Sequence, residues 1–305
     1  MVIHSMSRGA GEILMGLEKW NSLYMTGLIE PYYYPRLRDR VYRRTILVAR
    51  DQSALAASSV GEYTEGTLSL LTHDPGAVRA LEGEFMQYLS MCRPLMQIFN
   101  AESRERFERL MERFYGEDEE TLAARPGPGP ALLEEKTVAA MEARCGEPWL
   151  RKHWEKCRKN FRRQLDLGHN VTEILHLPDP ELVRQGKLQV PMWDFFGTKP
   201  LFYRPEELIS HLEQAILCLE NCKNYRIVFS SEIPENEIIR AREDLGAMAA
   251  RTQSPCVVFG ISEQRLTSAV WEALSRIAET GQSRKKTLAL LERYVELLKE
   301  PEDPL

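Results

Sequence analysis

The sequence predicts a mixed α/β (α+β) fold of two lobes, each a small sheet with flanking helices, and three observations predict it. Short β-branched and aliphatic runs, Thr45 to Ala49, Thr67 to Thr72, Pro94 to Phe99 and Cys256 to Ile261, are bounded by polar residues and glycines, as buried strands are. Between such runs lie stretches whose apolar residues recur at spacings of three and four, the period of an amphipathic helix. Arg125-Pro-Gly-Pro-Gly-Pro130 reads as a linker between the halves, because alternating proline and glycine supports neither helix nor ladder. The expected organisation is an N-terminal α/β lobe over 1–120, a linker over 121–132, a helical and loop connection over 133–204, and a C-terminal α/β lobe over 205–305.

The elements follow in order. Ile13, Leu14, Leu17, Trp20, Tyr24 and Leu28 give one apolar face to a helix over Glu12 to Ile29, which Glu30-Pro-Tyr-Tyr-Tyr-Pro35 stops. After the strands at 45–49 and 67–72, Asp74 offers an N-cap and Pro75 a first helical position, with Val78, Leu81, Phe85, Tyr88 and Leu89 facing inward. A charged helix spans Glu102 to Tyr115, and Leu132 to Leu167 is mostly helical, broken near Gly146-Glu-Pro148. His169 to Tyr203, rich in proline, glycine and aromatics, reads as loops and short turns. Pro205-Glu-Glu opens a helix with Leu208, Leu212, Ala215, Ile216 and Leu219 as its buried stripe. Tyr225 to Ser230, Glu237 to Ala241, Leu245 to Arg251 and Cys256 to Ile261 read as successive strands of a meander. For the middle two, propensity favours helix, whereas the turn Glu243-Asp-Leu-Gly246 favours a hairpin. Helices over Glu263 to Ala278 and Ser283 to Leu298 close the chain. Strand, acidic cap and helix recur at Thr67 to Phe85 and at Cys256 to Trp271, a pattern that mixed α/β chains also show without duplication.

Composition narrows function. The 305 residues suffice for about two domains. Forty Lys and Arg against 45 Asp and Glu give a net charge of -5, which removes any general attraction to nucleic acid. The start lacks the apolar core of a secretory signal and no apolar run approaches a bilayer span, so the expectation is a cytoplasmic chain with no membrane partner and with its six cysteines reduced.

Catalytic motifs are missing where their geometry would demand them. No serine stands in a Gly-x-Ser-x-Gly frame, no Gly-x-x-x-x-Gly-Lys loop occurs, and Gly9-x-Gly11 has no strand before it. Ser283-x-x-Lys286 reads as an N-cap followed by solvated lysines. Cys145, His153 and Cys157 lack the paired short spacing of a tetrahedral metal site, and Cys218 and Cys222, one helical turn apart, read as small apolar residues beside the Leu212 and Leu219 stripe. No catalytic residue, cofactor or metal is therefore expected. The dense basic segment Arg151 to Arg163 places Trp154, Cys157, Phe161 and Leu165 on one face and its cations in water. Its alternative is a surface for phosphates or an acidic partner.

One segment is read as a ligand cradle. Arg50, Asp51, Gln52, Ser53, Ser58, Ser59 and Glu62 follow a strand read as parallel or central, and ligands of open α/β sheets sit beyond the carboxyl ends of strands. The loop of Trp193 and Phe196 is the second expected ligand contact.

The phrases Arg44-Thr-Ile-Leu-Val-Ala-Arg-Asp-Gln-Ser-Ala-Leu, Tyr88 to Phe99, Val171-Thr-Glu-Ile-Leu-His-Leu-Pro178, Trp193-Asp-Phe-Phe-Gly197, Glu206 to Glu213 and Asn224-Tyr-Arg-Ile-Val228 resemble the long C-terminal region of clostridial-type helix-turn-helix transcriptional regulators. The resemblance implies a non-enzymatic domain that senses a small-molecule effector or a partner and self-associates as a homodimer. Its DNA contact would come only through a separate or missing helix-turn-helix, since the first helix begins within about a dozen residues of Met1 and a DNA-binding domain needs roughly 50. A fainter likeness to phospholipase D-like folds implies a non-catalytic relative, because none of His4, His73, His153, His169, His176 or His211 has Lys two residues on. The competing expectations are a phosphodiesterase or esterase with an unrecognised site, and nucleic-acid binding through 151–163.

Overall fold

The structure is a computed structural model that describes residues 1–4, 23–24, 26, 28–36, 41–61, 67–116, 119–146 and 148–300. It is mixed α/β and divides into two compact units, one of residues 1–24 and 28–96, the other of 25–27 and 97–305. The division falls near residue 96 instead of at a 121–132 linker. The helix read over Glu12 to Ile29 lies largely outside the described residues.

In the first unit β1 (Val2–His4) runs parallel to β2 (Pro31–Tyr33), which pairs antiparallel with β6 (Arg93–Pro94). A second sheet is an antiparallel meander of β3 (Tyr42–Ala49), β4 (Ser53–Val60) and β5 (Ser69–Thr72). Helix α1 (Pro75–Ser90) packs on β3 and β4. It begins as the sequence implies: the Ala77 amide donates to Asp74 Oδ1 at 2.8 Å, satisfying one of the unpaired amides of the first turn, and Pro75 occupies the next position.

The second unit is built on a seven-stranded sheet in the order β10-β9-β8-β11-β12-β13-β7, with β7 at Met96–Phe99. Helix α2 (Arg104–Gly116) leads to β8 (Thr121–Arg125), followed by α3 (Glu135–Cys145), α4 (Trp149–Asp166) and β9 (Val171–Leu175). The short helices α5 (Pro180–Arg184) and α6 (Trp193–Phe196) precede α7 (Pro205–Asn221) and β10 (Tyr225–Phe229). The chain then forms β11 (Glu237–Arg242), β12 (Gly246–Arg251) and β13 (Val258–Ile261), and closes with α8 (Gln264–Glu279) and α9 (Arg284–Lys299).

Strands β8, β9 and β10 are parallel, so long helical crossovers separate them in sequence, as parallel pairing requires. β11 and β12 form the hairpin that the Asp244-Leu-Gly246 turn favours, and Gly246 sits there at φ 155° with Ile261 O only 2.7 Å from where a Cβ would stand. The four strands from Tyr225 to Ile261 are not one meander, because β9 and β8 lie between β10 and β11.

Two sequence expectations fail for one physical reason. The sequence reads as loop over β9 and as the start of a linker over Thr121–Arg125, yet both are central strands whose residues are almost all buried. Short central strands carry no alternation to detect, and in β9 a glutamate interrupts the apolar run. Period-2 geometry puts Thr121, Ala123, Arg125, Val171, Glu173, Tyr225 and Ile227 on one face of the sheet. Leu122, Ala124, Thr172 and Ile174 point to the other, where α8 packs.

Candidate functional site

The Arg125–Pro130 run is not a spacer but a structured cap at the carboxyl end of β8. Three prolines fix their own φ, which leaves the loop little freedom, and Gly127 at φ 109° supplies the turn. The Gly129 amide donates to Glu173 Oε2 at 3.2 Å, while its carbonyl accepts from His211 Nε2 on α7 at 2.9 Å. A Cβ on Gly129 would lie 2.5 Å from Glu173 Oε1 and 2.8 Å from Arg125 Nη1, so the backbone approach there needs glycine. Pro130–Leu132 continues as a 3₁₀ turn, and Trp154 Nε1 donates to the next carbonyl, that of Leu133, at 3.1 Å.

Beneath this loop, on the Thr121, Ala123, Glu173 face of the sheet, is a cavity of about 140 Å³. Its wall is mainly apolar: Phe107 and Met111 of α2, Met141 of α3, Leu150 and Trp154 of α4, and Leu208 of α7. A few polar groups converge on it. The Glu173 carboxylate, 5% exposed as a residue, accepts the Tyr225 hydroxyl at 2.6 Å and lies 3.6 Å from Arg125 Nε. That ion contact is longer than a hydrogen bond, and Arg125 Nε has no hydrogen-bond partner. Burial and the adjacent Glu173 carboxylate push the Tyr225 phenol well above its ordinary range, so it stays a donor. Burial lowers His211 to about 4, which keeps the ring neutral near pH 7 with the proton on the nitrogen facing Gly129 O. The other nitrogen faces the Tyr203 hydroxyl at 3.5 Å.

Helix α4 supplies the remaining polar lining. Leu150, Trp154, Cys157, Asn160 and Gln164 recur at helical spacing on the buried side. Gln164 exchanges hydrogen bonds with Thr121, but Asn160, only 6% exposed, has an Oδ1 with no partner among the described residues. Cys157 Sγ lies 3.4 Å from His153 Nε2, and His153 stacks on Trp149 at 5.1 Å. Two cations of this helix are paired, Arg151 with Glu142 at 2.8 Å and Lys156 with Glu112 at 2.8 Å.

The residues expected from sequence lie elsewhere. Arg50, Asp51 and Gln52 form the exposed tip of the β3–β4 hairpin, closed by the Gln52 amide donating to Ala49 O at 3.0 Å, with Asp51 at φ 59°. Ser53 begins β4 opposite Ala49, and Ser58 and Ser59 pair with Arg44 and Arg43 at its far end. At about 3.3 Å per residue that end is roughly 17–20 Å from the turn, so one small ligand cannot touch both. β3 is an antiparallel edge strand, neither parallel nor central, and the carboxyl-end rule does not apply to it. Glu62 lies outside the described residues. Trp193 is in the apolar core of the second unit and is not among the cavity's walls, and the Phe196 side chain is outside those described. Among the described residues no group of three or more His, Cys, Asp or Glu side chains is arranged to hold a metal ion.

The sequence did carry a signal for the cavity. Arg125-Pro-Gly follows four residues that suit a buried strand, and Asn160 interrupts the inward face of the basic helix. Glu173 and His211 carried none, being single polar residues inside stretches read for other reasons. Comparison with family models, curated proteins and solved structures finds no match to this chain. Among the described residues no helix is long and apolar enough to cross a membrane.

Proposed function

We propose that this chain is the ligand-sensing, non-enzymatic part of a bacterial transcriptional regulator, self-associating and reaching DNA through a separate helix-turn-helix. The observation that carries the sensing role is the mainly apolar cavity on the Thr121, Ala123, Glu173 face of the sheet, with a few convergent polar groups and a proline-stiffened loop across it. Such pockets are the ordinary sites of small molecules in α/β sheets. A ligand that prefers one arrangement of the Arg125–Pro130 loop shifts the population toward it, and this is the signal. The test is a thermal-shift screen of the purified chain against small metabolites, since a ligand bound only by the folded state raises the melting temperature by mass action. A hit whose shift disappears when the cavity is filled by Ala123→Leu supports the role; a screen without hits contradicts it.

A second reading, an esterase, has one observation in its favour, the 3.4 Å approach of Cys157 Sγ to His153 Nε2 in the cavity wall. A thiol beside an imidazole is a nucleophile and its base. Hydrolysis of p-nitrophenyl acetate that Cys157→Ser abolishes would establish it; equal rates in both proteins reject it.

A further inference from the structure

We infer that the cavity is built for an uncharged carboxamide on a small branched or cyclic hydrocarbon body, with Asn160 as the residue that reads the amide. The inference rests on the sensing role proposed above.

Size comes first. An apolar cavity of about 150 Å³ accommodates benzene, so about 140 Å³ corresponds to roughly six non-hydrogen atoms. With Phe107, Met141, Leu150 and Leu208 in the wall, most of those atoms are hydrocarbon.

Polarity comes second. Asn160 Oδ1 is a buried acceptor without a donor among the described residues, and leaving such a group unmatched is costly. The complement of a side-chain amide is another amide, which presents one N–H and one C=O side by side and so pairs with Asn160 in either orientation of its own O and N. Arg125 lines the same wall; its Nε, 3.6 Å from Glu173, has no hydrogen-bond partner among the described residues and suits a carbonyl oxygen.

Charge comes third. Arg125 already faces the Glu173 carboxylate, which also holds Tyr225 and the Gly129 amide. A ligand carboxylate would bring a second anion into that buried arrangement, give Asn160 Oδ1 no donor, and lose its own hydration. An ammonium would face the guanidiniums of Arg125 and Arg240 in the same wall, and the Glu173 carboxylate already accepts from Tyr225 and the Gly129 amide. An uncharged amide avoids both costs.

The experiment is ligand-observed NMR titration of the full chain with isobutyramide, isobutyrate and benzene, repeated with Asn160→Leu and Asn160→Ala. Isobutyramide is expected to bind at least tenfold more tightly than isobutyrate, and both variants to lose most of that preference. Equal binding of the two isobutyryl probes, or an amide preference untouched by either variant, overturns the amide assignment and leaves the cavity a ligand site. Failure of all three probes to bind overturns the sensing role with it. Should neither variant fold, the wild-type ratio of the two dissociation constants decides the assignment alone.

Discussion

The Tyr225 hydroxyl donates to Glu173 Oε2 at 2.6 Å across two adjacent parallel strands. Tyr225 stands directly opposite Val171, so this is a diagonal contact on one face, within reach of a long aromatic side chain. With the Gly129 amide and Arg125, it explains how a carboxylate stays inside a central strand. A buried charge is tolerated only when its lone pairs are met.

Tyr225→Phe should therefore cost about 1.5–3 kcal/mol, the range for a hydrogen bond to a charged group, read as a lower urea midpoint at unchanged slope. Glu173→Leu should cost more, about 3–5 kcal/mol, because it strands Arg125 without a counter-charge. A smaller loss for Glu173→Leu than for Tyr225→Phe would show that the carboxylate is not the centre of this network.

Gly129→Ala tests the cap. The added methyl would meet Glu173 Oε1 and Arg125 Nη1, both in restrained positions, so the loop must lift. Overpacking of this kind costs about 1–3 kcal/mol. The expected local sign is faster amide exchange at Gly129 than in the wild type; unchanged exchange would refute the close approach.

His211 sets a pH dependence. Its folded pKa, about 4, lies below the ordinary 6.5, so between those values the unfolded chain binds the proton and the folded chain does not. Stability from this group is whole above about pH 6.5 and is lost as pH falls toward 4, on the order of 3 kcal/mol in total. His211→Gln should flatten the stability profile in that window by about one proton, measured by urea unfolding at successive pH values.

Asn160→Leu should stabilise the ligand-free protein, by about 1–2 kcal/mol, since it removes an unmatched acceptor beside empty space. A residue that weakens the empty protein is a mark of a binding site. A lower melting temperature for this variant would instead assign Asn160 a structural role.

How much of this was legible depended on whether a residue's reason lay nearby in the chain. The α1 start was legible because Asp74 and the Ala77 amide it caps are three residues apart. The 225–261 strands were legible from composition, and their hairpin from one turn. The order of the sheet was not, because nothing near Tyr225 says that β9 will lie beside it. The cradle expected at Asp51 lost its premise, because the sequence shows where a strand ends but not whether its neighbours are parallel. The same rule, applied at Arg125, would have found the cavity; there the Pro-Gly alternation, so often a spacer, concealed it. Glu173 was invisible because its partners come from residues 125, 129 and 225.

β8 has consequences for how the chain is made. It leaves the ribosome early, yet Ala124 pairs with Ile174 on one side and Ile239 on the other, so both of its edges wait for segments synthesised much later. At roughly 5–20 residues per second that interval is of order ten seconds, during which an apolar strand has no permanent partner. Such long-range pairing slows folding. The three prolines directly after β8 act in that interval as well, since a stiff segment in which every second residue lacks an amide donor is a poor template for the strands of other nascent chains. The loop that roofs the finished cavity thus also guards the unfinished sheet.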